Sequence, residues 1–326
     1  MPRIPRLAST ATAALALGLL AAAPAAGHEP TVTDAHIVTR FGLAAGRMPE
    51  NIALERDGSA DLTLAYARQV VHVAPDGATR TLATLPAVAN PDTPLMHGAV
   101  VTGIVRAHDG TLYVNYATGT RKTGIWRVPG AGGTPVQIAE LPQDGLPNGL
   151  ALDERRGMLY VADSVRGTVW RVPRSGGRAT AWAGGAALGP LPAPPANGYG
   201  ANGIKVHRDA VWVSNSDRGT LLSVPIHADG SAGPVQQRAG GLEGIDDFTF
   251  PGHGNTVLAA LNGTSKVVLV RRDGTHTVVL TQQDGLSNPT SVAVRGRSVY
   301  VPSAAYVTRQ DPNLLLASLR YPAGRL

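Results

Sequence analysis

Six oxygen-bearing residues recur at the head of one short pattern: Glu50 in ENIAL, Thr102 in TGIVR, Asn148 in NGLAL, Asn202 in NGIKV, Asp246 in DDFTF and Thr290 in TSVAV. If these heads occupy equivalent places around one centre, two carboxylates and two amides converge there. Converging carboxylates repel unless something positive lies between them. A hard divalent cation answers that demand, because Glu50 and Asp246 balance its charge while the amide oxygens of Asn148 and Asn202 coordinate without adding more. Donors of this kind point to calcium first, and to magnesium or manganese next. Zinc does not fit, since neither His nor Cys stands at any of the six heads. Asn-Gly alone is a common turn dipeptide. The ordered set of Glu, Asn, Asn and Asp in one register is what singles out Glu50, Asn148, Asn202 and Asp246 as metal ligands.

The elements that must position these residues follow from the spacing. The heads lie 52, 46, 54, 44 and 44 residues apart, and a second apolar alternation starts nine to twelve residues after each. The clearest copy, residues 146–173, alternates through Leu150 and Leu152, turns, and alternates again through Leu159 and Val161, then Trp170 and Val172. Period two between polar turns means short antiparallel strands. A recurrence of roughly 40 to 50 residues built from several such strands is a propeller blade. The expected fold is all-β, a single six-bladed β-propeller of four-stranded antiparallel blades over residues 27–326. The alternating segment HIVTRF, residues 36–41, precedes the first blade, and it is assigned to the sheet of the last blade, closing the ring and removing its exposed edges. Two long connections, residues 86–100 with His97 and residues 184–201 with Tyr199, each precede a head residue, so both are placed to wall a pocket over the channel. Asp163-Ser164 and Asn215-Ser216-Asp217 follow second strands and read as turn residues.

Composition narrows the classes. Residues 1–26 pair Arg3 and Arg6 with an apolar, alanine-rich core and small residues beyond it, the pattern of a cleaved secretory signal. The expectation is therefore an exported protein, secreted or in a periplasm-like compartment, monomeric and without a membrane anchor after cleavage. The absence of Cys removes disulfides, lipidation, thiolate zinc sites and cysteine nucleophiles. A formal charge of +6, carried by scattered Lys and Arg, offers no basic run interleaved with aromatics, so nucleic acid is not an expected partner. No GxSxG or HExxH is present, and the glycines around Gly130 to Gly133 lie between strands rather than opening a helix.

On these residues the chain resembles the superfamily of senescence marker protein (regucalcin), gluconolactonases and luciferin-regenerating enzymes, and more distantly diisopropylfluorophosphatase, paraoxonases and strictosidine synthase. In the hydrolases of that group a central divalent ion is held by Glu, Asn, Asn and Asp from successive blades. Glu50 in PENIAL, Asn148 in LPNGLALD, Asn202 in ANGIKV and Asp246 in GIDDF stand at those places. The resemblance implies a metal-dependent hydrolase of lactones or related esters acting on a small molecule. It implies Asp246 as the carboxylate that takes a proton from water, with ligation alone as its other role. His97 is a candidate for proton transfer, as histidines are in some relatives, and Thr102, Tyr199 and Thr290 are candidates for substrate contact. One departure stands out: gluconolactonases usually carry an Arg shortly before the first of these Asn residues and an acid just after it. Here Leu146-Pro147 precede Asn148 and Gly149-Leu150 follow. With Pro and Ala in residues 184–201, that points away from sugar lactones. Two other classes remain open: a secreted binding module with a structural ion, and a non-hydrolytic enzyme of secondary metabolism like strictosidine synthase.

Overall fold

Apolar alternation broken by Gly- and Asp-bearing turns gives strands and, among the described residues, no helix longer than a single 3-10 turn. The computed structural model describes residues 29–194 and 196–321, and the leader expected over residues 1–26 lies outside them. Within the described residues, 24 strands form six four-stranded sheets, each antiparallel, and the propeller spans Thr31–Arg320. Five sheets follow chain order from inner to outer strand. The sixth joins Ala293–Arg295, Ser298–Ser303 and Asn313–Arg320 to the N-terminal strand Thr31–Arg40. The alternation over residues 36–41 is thus the end of a longer strand, paired from Thr31 opposite Arg320 to Arg40 opposite Asn313.

The sheets are apolar on both faces, so every pair of neighbouring blades encloses its own cluster of buried side chains. Tyr160 and Trp182 of blade three pack on Val211 and Val213 of blade four, and Leu62 and Val71 of blade one meet Tyr300 and Leu314 of blade six. Each such side chain contributes about 1.5–3 kcal/mol when fully buried. A blade is therefore held by its two neighbours, which lets a chain of this length avoid a single oversized core.

The inner strands Pro49–Leu54, Val100–Arg106, Pro147–Asp153, Ala201–His207 and Ile245–Thr249 share one register. In each, the residue before the head pairs with the end of the second strand: Pro49 with Leu64, Val101 with Tyr116, Pro147 with Asp163, Ala201 with Asn215 and Ile245 with Leu261. The ladder then slips in all five, so each head sits in a local irregularity that re-aims its side chain. Blade six differs in that its inner strand starts at Ala293 rather than Ser291, yet Pro289 still bridges Ser303 and keeps Thr290 in register. Side-chain bonds replace the ladder there: the Thr290 hydroxyl donates to the Pro49 carbonyl and the Ser291 hydroxyl to Asp247. Glycine follows Asn148 and Asn202 for a steric reason. A methyl group on Gly149 would overlap the Asn202 carbonyl, and one on Gly203 would overlap Asp247. No helix among the described residues is long and apolar enough to cross a membrane.

Candidate active site

The shared register brings Glu50, Thr102, Asn148, Asn202 and Asp246 to the floor of one cavity of about 820 Å³. The sixth head, Thr290, is buried at the same level but does not line it; its hydroxyl bonds at 3.0 Å to Pro49 and braces blade six on blade one. Thr102 does the same between blades two and three, donating at 2.7 Å to the Pro147 carbonyl while its side chain still lines the cavity.

The two amides have a fixed orientation. The Ser164 hydroxyl spends its proton on the Ala201 carbonyl at 2.8 Å, so toward Asn148 it can only accept, and Nδ2 of Asn148 lies 3.3 Å away. Ser216 repeats the arrangement one blade on, donating to the Ile245 carbonyl and accepting from Asn202 Nδ2 at 2.8 Å. With both Nδ2 groups committed to these hydroxyls, the amide oxygens are the atoms left to coordinate.

The two carboxylates are held as firmly. Tyr306 donates its phenol proton to Glu50 Oε2 at 2.5 Å, and Asn262 Nδ2 donates to Asp246 Oδ2 at 3.2 Å and to the Pro289 carbonyl at 3.3 Å. Burial pushes the Glu50 carboxyl up to about 7, with the Tyr306 bond opposing and the Asp247 charge adding to the rise. Asp246 is pushed well above the usual carboxylate range, first by burial and then by the charges of Glu50 and Asp247. Two acids held at such cost, with Arg309 the sole basic residue among those lining the cavity, form a donor set whose charge a cation would balance. Glu50, Asn148, Asn202 and Asp246 offer only hard oxygen donors, and they fit a calcium-like ion. One layer down the axis, Asp247 is satisfied by protein alone. It accepts from Lys205 Nζ at 2.5 Å, Ser291 Oγ at 2.8 Å and Asn51 Nδ2 at 3.1 Å.

The long connections wall the cavity as their placement implies. Residues 86–100 supply Leu95 and Met96, and residues 184–201 supply Asn197 and Tyr199. They meet where the Tyr199 hydroxyl lies 3.1 Å from Met96 Sδ and Gly198 abuts Leu95. Asp217 clasps the second of them, accepting from the backbone N–H groups of Leu191, Asn197 and Gly198 at 2.8–3.2 Å. Burial also pushes the Tyr199 and Tyr306 phenols up, so both stay neutral. His97 is elsewhere: its side chain is 81% exposed, 3.6 Å from Asp92, and it does not line the cavity.

Tyr306, Asn262, Ser164 and Ser216 are the functional neighbours that the head pattern alone does not mark. Three of them carry a signal in the repeat. The residue after the ladder partner of each pre-head residue is Ala65, Ala117, Ser164, Ser216, Asn262 and Ala304 in turn. It is polar only behind Asn148, Asn202 and Asp246. A second acid cluster, Glu55, Asp61 and His72, has metal-ligand geometry. Arg106 already fills the cationic role there, with Nη1 2.8 Å from Asp61 and 3.1 Å from Glu55.

No family model and no curated protein matches the sequence. Solved structures do. A gluconolactonase from Xanthomonas campestris superposes with a TM-score of 0.61 at 15% identity, covering 90% of this chain and 98% of that one. Regucalcin from Agrobacterium tumefaciens, a calcium-binding protein, gives 0.62 at 15% identity over 89% and 93% of the two chains. The chain has the fold of the regucalcin and gluconolactonase propellers. A PQQ-bound aldose sugar dehydrogenase from Streptomyces coelicolor superposes equally well, at 0.62 and 14% identity over 90% and 99%. The fold thus spans hydrolytic and redox chemistry, and the choice among activities rests on the side chains at the axis.

Proposed function

We propose that this chain is an exported hydrolase of lactones or related esters that works with one divalent cation, calcium first, held by Glu50, Asn148, Asn202 and Asp246. The observation that carries the reading is the convergence of two buried, mutually repelling carboxylates and two amide oxygens, each fixed by its own hydrogen-bond donor or acceptor, on the floor of a cavity of about 820 Å³. When bound, such a cation supplies Lewis-acid polarisation of an ester carbonyl. The protein does the rest. Asp246, with Oδ2 held by Asn262, keeps Oδ1 for the proton of an attacking water. Tyr306 holds one oxygen of Glu50, and the other would be the one to hold a cation. The clasped loops shield the reacting ester from bulk solvent.

Among structures of the same fold, the virginiamycin B lyase of Staphylococcus aureus is catalytically inactive when one histidine is replaced by alanine. None of the residues lining this cavity is a histidine, which favours the carboxylate reading over a lyase.

The test is calorimetric titration of calcium, magnesium and manganese into the purified protein, beside turnover of a lactone panel. Wild type should bind one ion and hydrolyse at least one lactone, and Glu50→Gln with Asp246→Asn should abolish both. Turnover that survives both substitutions would refute the proposal. Export is checked separately by the mass of the protein recovered from culture medium, which should lack the leader.

A further inference from the structure

The cavity walls hold many polar residues, but almost every donor among them is already committed to protein. Of the three wall tyrosines, Tyr306 donates to Glu50, Tyr66 donates to the Met96 carbonyl at 3.3 Å, and Tyr199 points at Met96 Sδ at 3.1 Å. The Thr102 hydroxyl is spent on Pro147, the Ser216 hydroxyl on Ile245, and the Asn262 amide on Asp246 and Pro289. Asp217 is occupied by three backbone N–H groups. What the side chains of the walls offer to a ligand is tyrosine ring faces together with Leu95, Met96, Met48, Leu146 and Val307, and the uncommitted polar side chains above the floor reduce to Asn197 and Arg309, both solvent-exposed.

A polyhydroxylated ring in this space would bury hydroxyls without partners, and each such loss costs roughly tenfold in affinity. An alkyl or aryl arm would instead cover the Leu95, Met96 and Tyr199 surface where the two long loops meet. We propose that the site takes lactones bearing an apolar arm, with the ester at the floor and the arm against the Leu95–Met96 and Tyr199 wall. The ester part of this assignment rests on the hydrolase reading, whereas the arm rests on the walls alone.

Two unreactive lactams separate the parts. A heptyl-substituted δ-lactam and gluconolactam are each titrated into the wild-type protein in calcium-containing buffer, and the corresponding lactones are assayed for hydrolysis. The heptyl lactam should bind at least about tenfold more tightly than gluconolactam, and Leu95→Asn should remove most of that margin. Asparagine tolerates the positive φ of 66° at this position, so the variant keeps the loop path. Equal or tighter binding of gluconolactam overturns the assignment, and so does failure of both lactams to bind. If the heptyl lactam binds and no lactone is hydrolysed, the apolar site stands and the hydrolase reading falls.

Discussion

Glu50 is where two opposing demands meet, since burial disfavours its charge while a cation would require it. Its carboxyl is pushed up to about 7 against an ordinary 4.5, so in the cation-free fold it holds a proton that the unfolded chain has released. Between those values the folded state binds more protons than the unfolded one, and the stability this contributes is lost as pH rises through about 7. Binding of a cation at the proposed site would reverse the trend, because the ligands must be deprotonated to coordinate. By calorimetry, the cation-free protein should melt higher at pH 5 than at pH 8, and excess calcium should raise the melting temperature more at pH 8. An equal calcium effect at both pH values would contradict this. Tyr306→Phe should weaken calcium affinity by roughly tenfold in a direct titration while leaving the fold unchanged, the usual effect of deleting a group that orients a ligand. An unchanged affinity would show that Glu50 needs no such support. Glu50, Asn148, Asn202 and Asp246 were readable from sequence because each opens a repeat, and the repeat fixes where it points. Tyr306 was not, because it comes from the connection between the last two strands of blade six, outside the pattern, and only closure of the ring brings it to Glu50.

At the scale of elements, the two long connections were readable as cavity walls from their position ahead of Thr102 and Asn202, but what pins them was not. The turn Asn215-Ser216-Asp217 passes in sequence for an ordinary strand end. Its side chains satisfy the backbone of a loop that has no ladder of its own: Asn215 Nδ2 donates to the carbonyls of Ala187 and Gly189 at 2.9 Å, Arg218 Nε donates to Gly189 at 3.0 Å, and Asp217 takes the three N–H groups. A loop backbone folded over a cavity must find partners for its polar groups, and here they come from the next hairpin. Asp217→Ala should therefore free residues 190–198 without unfolding the blade. The expected outcome is faster hydrogen exchange confined to that segment, a global melting temperature lowered by only a few degrees, and a KM raised by roughly tenfold with kcat less affected. Exchange rates unchanged in that segment would mean that the clasp is not what orders it. His97 shows the opposite limit of sequence reading, for a histidine in a wall-forming loop turns outward to Asp92 because the loop presents Leu95 and Met96 inward instead.

For the whole molecule the decisive fact is that a ring without cysteines must be closed by non-covalent contacts alone. The closing strand Thr31–Arg40 covers the edge of Asn313–Arg320, and its side chains reach both neighbouring interfaces: Val32 and Ile37 pack into the cluster between blades five and six, and Val38 into the one between six and one. Closure also sets the site, because Glu50 of blade one receives its hydrogen bond from Tyr306 of blade six, and Asp247 of blade five ties to Asn51, Lys205 and Ser291 of blades one, four and six. These three apolar side chains are half-buried, and together they are worth roughly 3 kcal/mol. At this chain length that corresponds to about 6 °C of melting temperature. Deleting the residues up to Arg40 should thus lower the melting temperature by about that much, expose an unpaired edge that drives association, and weaken calcium binding although no ligand is touched. A synthetic peptide of residues 31–40 added in trans should restore the monomer and the calcium affinity together, as read by light scattering and titration. A truncated chain that stays monomeric and binds calcium as tightly as the full one would show that the six blades hold their ring, and their cation site, without the closing strand.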